Sequence, residues 1–347
     1  MAEVFVILYH KILPKWGFDV YYKTFEAQVK ILKTFYKVVD LDEIYDYIQT
    51  GKNPDKPTVA ITFDDGFADN YVYAYPILKK HKIKATIFPI TSRLIKKDFV
   101  RPTLFDYWNG KVSFNELHKP KTMAQAHTEF LKSGYSQDFL TVEELSKMMD
   151  VFNVGGHGSV HSKVFYSEDI VDFYDGKNGH WSFLYAYQEE PQIGFPIFPS
   201  QNNLAVNRSL LKKEVKEFIK SINKDFFKNK NWKLELKQLL EKNFKELVEK
   251  EDTKTRKERV YQELSQSKQE LERLIGRKIT HFAYPFGHYD EVLKEVSKEF
   301  FKTAFTTEKN PIKPTTDLYT IPRYSIPKDM TSFLAILTKA KIKNSLY

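Results

Sequence analysis

Two carboxylates stand side by side in Thr62-Phe63-Asp64-Asp65-Gly66, directly after the apolar run Val59–Phe63. Like charges this close oppose each other's ionisation. A bound cation would relieve that repulsion and let one acid ligate while the other accepts a proton. A turn in which an aspartate caps the local backbone would use the same residues. Further along, His157-Gly158-Ser159-Val160-His161 places imidazoles at i and i+4, which face the same way on a helical turn and can hold one metal ion. Such pairs also occur without metal. Asp65 would complete a two-histidine, one-carboxylate site with positions open for water and substrate. That donor set suits Zn²⁺ first, and Fe²⁺, Co²⁺ or Ni²⁺ as well, so the residues do not select the ion. A third histidine, His10, follows the apolar run Val4–Leu8, a place that also suits a solvated loop residue. Together the three segments point to hydrolysis by metal-activated water. The metal lowers the water pKa and polarises a carbonyl, while a carboxylate and an imidazole handle protons.

The elements that must position these residues are legible from apolar periodicity. Val4–Leu8, Val59–Phe63 and Ala85–Phe88 read as buried strands, and Phe25, Val29, Leu32 and Phe35 follow helical spacing, as does the stretch through Tyr75, Ile77 and Leu78. Thr141 with Glu144 has the capping-box spacing for a helix running to Met149. Phe152–His157, Ile279–Tyr284, Ala304–Thr306 and Tyr319–Ile321 are further expected strands. A helix carrying Val260, Leu264, Ser267, Leu271 and Leu274 should stop at Gly276. Strands alternating with helices predict parallel pairing and an α/β architecture. Asp64, Asp65 and His157 then fall at the C-terminal ends of strands, where α/β barrels build their sites.

Between 162 and 254 this rhythm breaks. An aromatic, irregular half (Phe165, Tyr166, Phe173, Tyr174, Trp181, Phe183, Tyr185, Tyr187) leads to a helical half with two apolar stripes. One stripe is Leu211, Val215, Phe218, Ile222 and Phe226; the other is Leu236, Leu239, Leu240, Phe244 and Leu247. The division expected is a main domain of 1–161 and 255–347 with an inserted subdomain over 162–254. The stripes are read as faces packed on the main body.

Composition narrows the function classes. The 347 residues are 42% hydrophobic, enough for one large core or one core with an appended subdomain. Cysteine is absent, which excludes thiol nucleophiles, Cys-rich zinc modules and disulfide frameworks. The formal net charge is +9, but lysines are interleaved with glutamates, especially over 212–277. That pattern describes a solvated surface rather than a nucleic-acid patch, so no nucleic-acid partner is expected. No stretch approaches the ~20 apolar residues of a membrane helix. The opening lacks the basic start and small-residue cleavage site of a leader, so an intracellular protein, or one supplied without its leader, is expected.

The motifs as strings carry a resemblance. Val59-Ala60-Ile61-Thr62-Phe63-Asp64-Asp65-Gly66 resembles the first motif of the polysaccharide deacetylases (NodB-like, carbohydrate esterase family 4). Gly156-His157-Gly158-Ser159-Val160-His161-Ser162 resembles the second, and Phe282-Ala283-Tyr284-Pro285-Phe286-Gly287 the third; Ile321-Pro322-Arg323-Tyr324-Ser325-Ile326 also has a counterpart. The Leu-x-His triplet, normally near the C-terminus, stands here as Leu8-Tyr9-His10. That order resembles the circularly permuted members acting on poly-N-acetylglucosamine. The resemblance implies a distorted (β/α)7 barrel, circularly permuted, that removes N-acetyl groups from an N-acetylglucosamine polysaccharide or related glycoside. It implies Asp64 as general base, His10 as general acid, and Asp65, His157 and His161 as metal ligands. Tyr284, Pro285, Phe286 and Gly287 would line the substrate groove, with the Phe286 N–H donating to the oxyanion. O-acetyl ester or other amide hydrolysis, or carbohydrate binding without turnover, remain alternatives on the same fold. Position 158 is Gly where the family has Ser or Thr, losing a bracing hydroxyl. Ala283 stands where many members carry an Arg that orients the base; Arg323 is the candidate substitute, or else a bridge between surface carboxylates. Trp181, in the insertion, is a candidate sugar contact, and His180 beside it is the rival to His10 as proton donor.

Overall fold

The computed structural model describes residues 3–345, with the backbone alone for 341–345. Eight strands build the main body: β1 Val4–Tyr9, β2 Lys37–Val39, β3 Thr58–Asp65, β4 Ala85–Pro89, β5 Phe152–Val154, β6 His281–Ala283, β7 Thr303–Phe305 and β8 Tyr324–Ser325. One parallel sheet runs in the order β8-β1-β3-β4-β5, with β2 also paired to β3. Every residue of β1 and β3 is buried, as expected for parallel strands covered on both faces. The register sets Val4 beside Thr58 and Asp64 beside Phe88. β6 and β7 form a separate parallel pair, tied to the rest by single bridges, Gly156 to Phe282 and Phe305 to Ile321. The main body is thus an α/β fold with parallel strands, in which β6 and β7 are joined to the larger sheet by bridges rather than by a continuous ladder.

Two expected strands differ. Phe152–His157 is paired only to Val154, because Gly155 and Gly156 change partners: the Gly155 N–H bonds Ile87 O and the Gly156 N–H bonds His281 O. A Cβ at Gly155 would lie 2.2 Å from the Phe88 ring, so only glycine passes this junction. Tyr319–Ile321 is not a strand. Ile321 makes one bridge, Pro322 lacks the N–H a ladder needs, and pairing resumes at Tyr324. The helix after Thr141 has the expected capping box but ends at Lys147 rather than Met149, and Gly276 closes Thr253–Ile275 in the left-handed conformation. On the first helix, Tyr22–Phe35, Phe25, Val29 and Leu32 are buried while Phe35 is exposed.

Residues 162–254 hold three short antiparallel pairs and three helices, Phe183–Tyr187, Lys213–Ser221 and Trp232–Asn243. The half expected to be helical therefore also contains a strand pair, Ser209–Leu211 with Val248–Lys250, and Leu211 belongs to it. Phe165, Phe173, Tyr187, Phe195, Val215, Leu236 and Leu240 belong to a core distinct from the main one. The apolar stripes thus pack inside the insertion rather than on the main body. Leu204 and Ala205 are the exception, since they pack in the main core. Among the described residues no helix is long and apolar enough to cross a membrane.

Candidate active site

Asp64 and Asp65 end β3 and are both buried. Burying two adjacent carboxylates requires separate partners for each. The backbone provides this by turning sharply, with Asp65 at φ 71° and Gly66 at φ 74°. Gly66 has no alternative, since a Cβ there would lie 2.7 Å from Pro89 Cβ. Asp64 receives a two-pronged ion pair from Arg323, with Nη1 to Oδ1 at 2.8 Å and Nη2 to Oδ2 at 2.7 Å. Arg323 is itself fully buried and donates Nε to Thr306 O and Nη1 to Thr62 Oγ1. The planar fork suits this bidentate contact. Arg323 bridges no surface carboxylate.

Asp65 faces histidines. Its Oδ1 lies 3.2 Å from His161 Nε2 and 3.5 Å from His157 Nε2, while Oδ2 lies 3.6 Å from His127 Nε2. Burial would raise the Asp65 carboxyl, but the histidines, His161 foremost, hold it well below the usual carboxylate range. Burial, opposed by Asp65 and reinforced by His157, Arg93 and His127, holds the His161 ring well below an ordinary imidazole. Both groups therefore stand in the forms that bind cations, a carboxylate beside the neutral His161 ring. Asp65 Oδ1 and His161 Nδ1 are buried atoms without a hydrogen-bond partner, whereas His157 Nδ1 donates to Ala283 O at 2.7 Å and so turns its Nε2 lone pair toward Asp65. A buried, unpartnered carboxylate oxygen flanked by imidazole nitrogens fits a divalent cation. Among the described residues, Asp65, His127 and His161 also form a group with ligand atoms all within 4.8 Å of one another.

His157–His161 is not the helical turn its spacing suggests. The segment is an irregular loop with Gly158 at φ 71° and His161 at φ 37°, and the loop, not a helix face, turns the rings together. The bracing that a residue 158 hydroxyl would give comes from Glu263, whose Oε1 accepts the N–H groups of Ser159 and Val160. Burial raises the Glu263 carboxyl, with those two N–H bonds opposing. Gly158→Ser, which reinstates the hydroxyl, should destabilise the protein by ~1–2 kcal/mol in denaturant unfolding, because φ 71° disfavours a side chain and its Cβ would sit 3.3 Å from Glu263 Oε1. Unchanged or raised stability would refute that account.

The third motif contributes backbone shape more than side chains. Phe286 sits at φ 59°, with its ring 4.5 Å from that of His161. Tyr284 is fully buried and its hydroxyl donates to Tyr319 O. It fills the core rather than lining a groove, a correction to the expected groove-lining role. Pro285 and Gly287 are buried with it, and a Cβ at Gly287 would lie 2.1 Å from Thr307 Oγ1. Left-handed residues at 65, 66, 158, 161, 286 and 287 gather around one site, as strained backbone does where function demands a fixed shape.

The insertion reaches this site. Trp181 stacks on His127 at 4.4 Å between ring centroids and lies 6.2 Å from Phe286. His180 and the Arg93 guanidinium also lie near this ring, at 5.1 and 5.6 Å, so it is packed among the site's own groups. His180 is turned to Ser182 Oγ, and burial, with Lys163 nearby, lowers its ring to about 4. From sequence, His127 reads as a surface or packing residue. It lies on the helix Met123–Ser133, 62 positions from Asp65 and outside any motif, so no local signal marks it. Asp19 was likewise silent. It is buried within electrostatic reach of His10 and Lys11; burial raises its carboxyl and His10 opposes that shift. His10 follows β1, with its carbonyl held by Asn70 Nδ2, and Asn70 opens the π-helical turn Asn70–Ala74 just beyond Asp65.

Comparison with known proteins follows the same lines. The polysaccharide deacetylase family profile matches residues 51–163 and 173–304. The poly-β-1,6-N-acetyl-D-glucosamine N-deacetylase of Staphylococcus aureus (strain MSSA476) is 43% identical over 84 residues, 24% of this chain and 29% of that protein. The alignments to the curated relatives thus span about a third of those proteins' length or less. Among solved structures, a de-N-acetylase from Aggregatibacter actinomycetemcomitans superposes with a TM-score of 0.57 at 16% identity, covering 96% of this chain and 98% of that one. IcaB from Ammonifex degensii gives 0.54 at 16%, covering 98% of each chain. These similarities show the NodB-like fold.

Proposed function

Because the chain belongs to the polysaccharide deacetylase family, we propose that it hydrolyses the N-acetyl amide of an amino-sugar substrate, using a divalent cation held by Asp65, His157 and His161. The observation that carries this reading is the division of labour between adjacent aspartates. Asp64 is locked by Arg323, while Asp65 presents an unpartnered oxygen to two imidazoles. Bound there, a zinc ion would supply Lewis acidity, lowering the pKa of water and polarising the acetyl carbonyl.

The chain's own residues supply the rest. Asp64, oriented by the guanidinium fork, takes the proton from the attacking water. The Phe286 N–H, presented by left-handed backbone next to His161, stabilises the oxygen that gains charge. His10, with the buried acid Asp19 within electrostatic reach, gives its proton to the departing nitrogen as the C–N bond breaks. The products are acetate and a free amine. An N-acetylglucosamine polymer or a smaller glycoside fits this chemistry, and the Staphylococcus relative's name points to the polymer.

The test is acetate release from N-acetylated glucosamine oligomers. Activity should vanish on chelation and return with zinc, and His161→Ala should bind zinc at least 10²-fold more weakly, since it removes a ligand outright. Acetate release that survives exhaustive chelation would overturn the reading.

A further inference from the structure

We propose that His127 is a positioning residue that holds Asp65 through an Nε2–H, and is not itself a ligand of the cation. The proposal rests on the preceding assignment of Asp65 as a ligand. Distance alone does not separate the histidines around Asp65, since His127 and His161 both fall within 4.8 Å ligand spacing of it. Their hydrogen bonds do. Arg93 Nη1 contacts His127 Nδ1. A guanidinium can only donate, so Nδ1 must carry the lone pair, and the proton of the neutral ring must lie on Nε2. The atom facing Asp65 is therefore an N–H rather than a lone pair. His157 is the opposite case: its Nδ1 donates to Ala283 O, leaving the Nε2 lone pair toward Asp65. The three rings also divide between the two oxygens, His157 and His161 on Oδ1 and His127 on Oδ2. Asp65 is thereby offered a donor on one oxygen and two imidazole nitrogens beside the other.

The surroundings keep His127 in that role. Its ring is buried, stacks on Trp181 at 4.4 Å and 19°, and contacts the Phe67 and Phe139 rings at 5.7 and 5.5 Å. Arg93 is pinned in turn by the carbonyls of Val160 and His161, at 3.3 and 3.1 Å. The guanidinium thus links the backbone of one ligand to the tautomer of the group that steadies another. The Nε2–Oδ2 separation of 3.6 Å is a few tenths of an ångström beyond a hydrogen bond, within the reach of a small side-chain shift. Trp181 comes from the insertion, so the insertion helps to hold the metal site and does not merely cover it.

Zinc affinity, measured by competition with a chromophoric chelator, and zinc X-ray absorption test this without reference to turnover. His127→Ala should weaken zinc binding about 10–100-fold, as loss of a ligand's hydrogen-bond partner does, with the same number of imidazoles in the absorption spectrum. His127→Gln, which keeps an N–H, should recover much of that loss. His161→Ala is the control that loses an imidazole. Loss of an imidazole in His127→Ala would make His127 a ligand, and affinity within twofold of the unaltered protein would make it mere packing; either overturns the proposal. If the alanine variant does not fold, ¹⁵N NMR of the unaltered protein decides. A His127 tautomer protonated on Nε2 supports the proposal, and one protonated on Nδ1 overturns it. Failure of the unaltered protein to bind zinc would instead overturn the metal-centre reading.

Discussion

Asp64→Asn should lower kcat by roughly 10²–10⁴-fold, the usual worth of a positioned base, while zinc affinity changes little. The asparagine amide occupies the same volume but accepts no proton. It also brings an NH₂ against one prong of Arg323, which contacts both carboxylate oxygens at 2.7–2.8 Å. Because that pair is buried, removing the cation is the harsher change. Arg323→Met should lower both turnover and stability, the latter by ~3–5 kcal/mol, since it leaves Asp64 charged in a dry interior. Rates of acetate release, zinc titration and denaturant unfolding separate the two variants. An Asp64→Asn protein with undiminished turnover would remove Asp64 from the mechanism, and a stable Arg323→Met protein would contradict the burial argument.

His10→Ala should also lower kcat by roughly 10²–10⁴-fold with zinc still bound. His10 leaves β1, the strand paired in register with the one that ends in Asp64 and Asp65, so its ring emerges on the same rim. Asp19 is a buried acid within electrostatic reach of His10. Asp19→Asn should therefore give a smaller loss of kcat than His10→Ala. His180, the rival, has the wrong charge state. Burial and Lys163 lower its ring to about 4, so at neutral pH it carries no extra proton to give. His180→Ala should leave turnover within a few-fold. The reverse pattern, an intact His10→Ala and a dead His180→Ala, would move the acid into the insertion.

Much of this protein was legible without coordinates because its signals are local. A fully buried parallel strand must be apolar along its whole length, so Val4–Leu8 and Val59–Phe63 announce β1 and β3. Thr141 with Glu144, and Gly276, announce helix ends because capping is decided within one turn of chain. The motif carboxylates and histidines stand out because polar groups abutting buried strands need a reason. The strand ends were less legible: Gly155–Gly156 and Pro322 interrupt pairing through contacts with Phe88 and through a missing N–H, neither visible as a break in apolar pattern. The His157–His161 spacing suggested a helix because i, i+4 is all that spacing can say, and Gly158 at φ 71° belongs to a loop.

Tertiary structure alone decided the partners. Arg323 reaches Asp64 across 259 residues, and nothing in the sequence distinguishes a buried arginine from an exposed one. Glu263 supplies the bracing that position 158 lacks, from a helix about a hundred residues away. His127, Arg93 and Trp181 come from three segments with no shared motif, and they meet only in the folded chain. Residue type and local spacing determine which groups can do chemistry. Which oxygen, tautomer and charge each presents depends on long-range contacts in a water-poor interior, where each polar atom must find a specific partner.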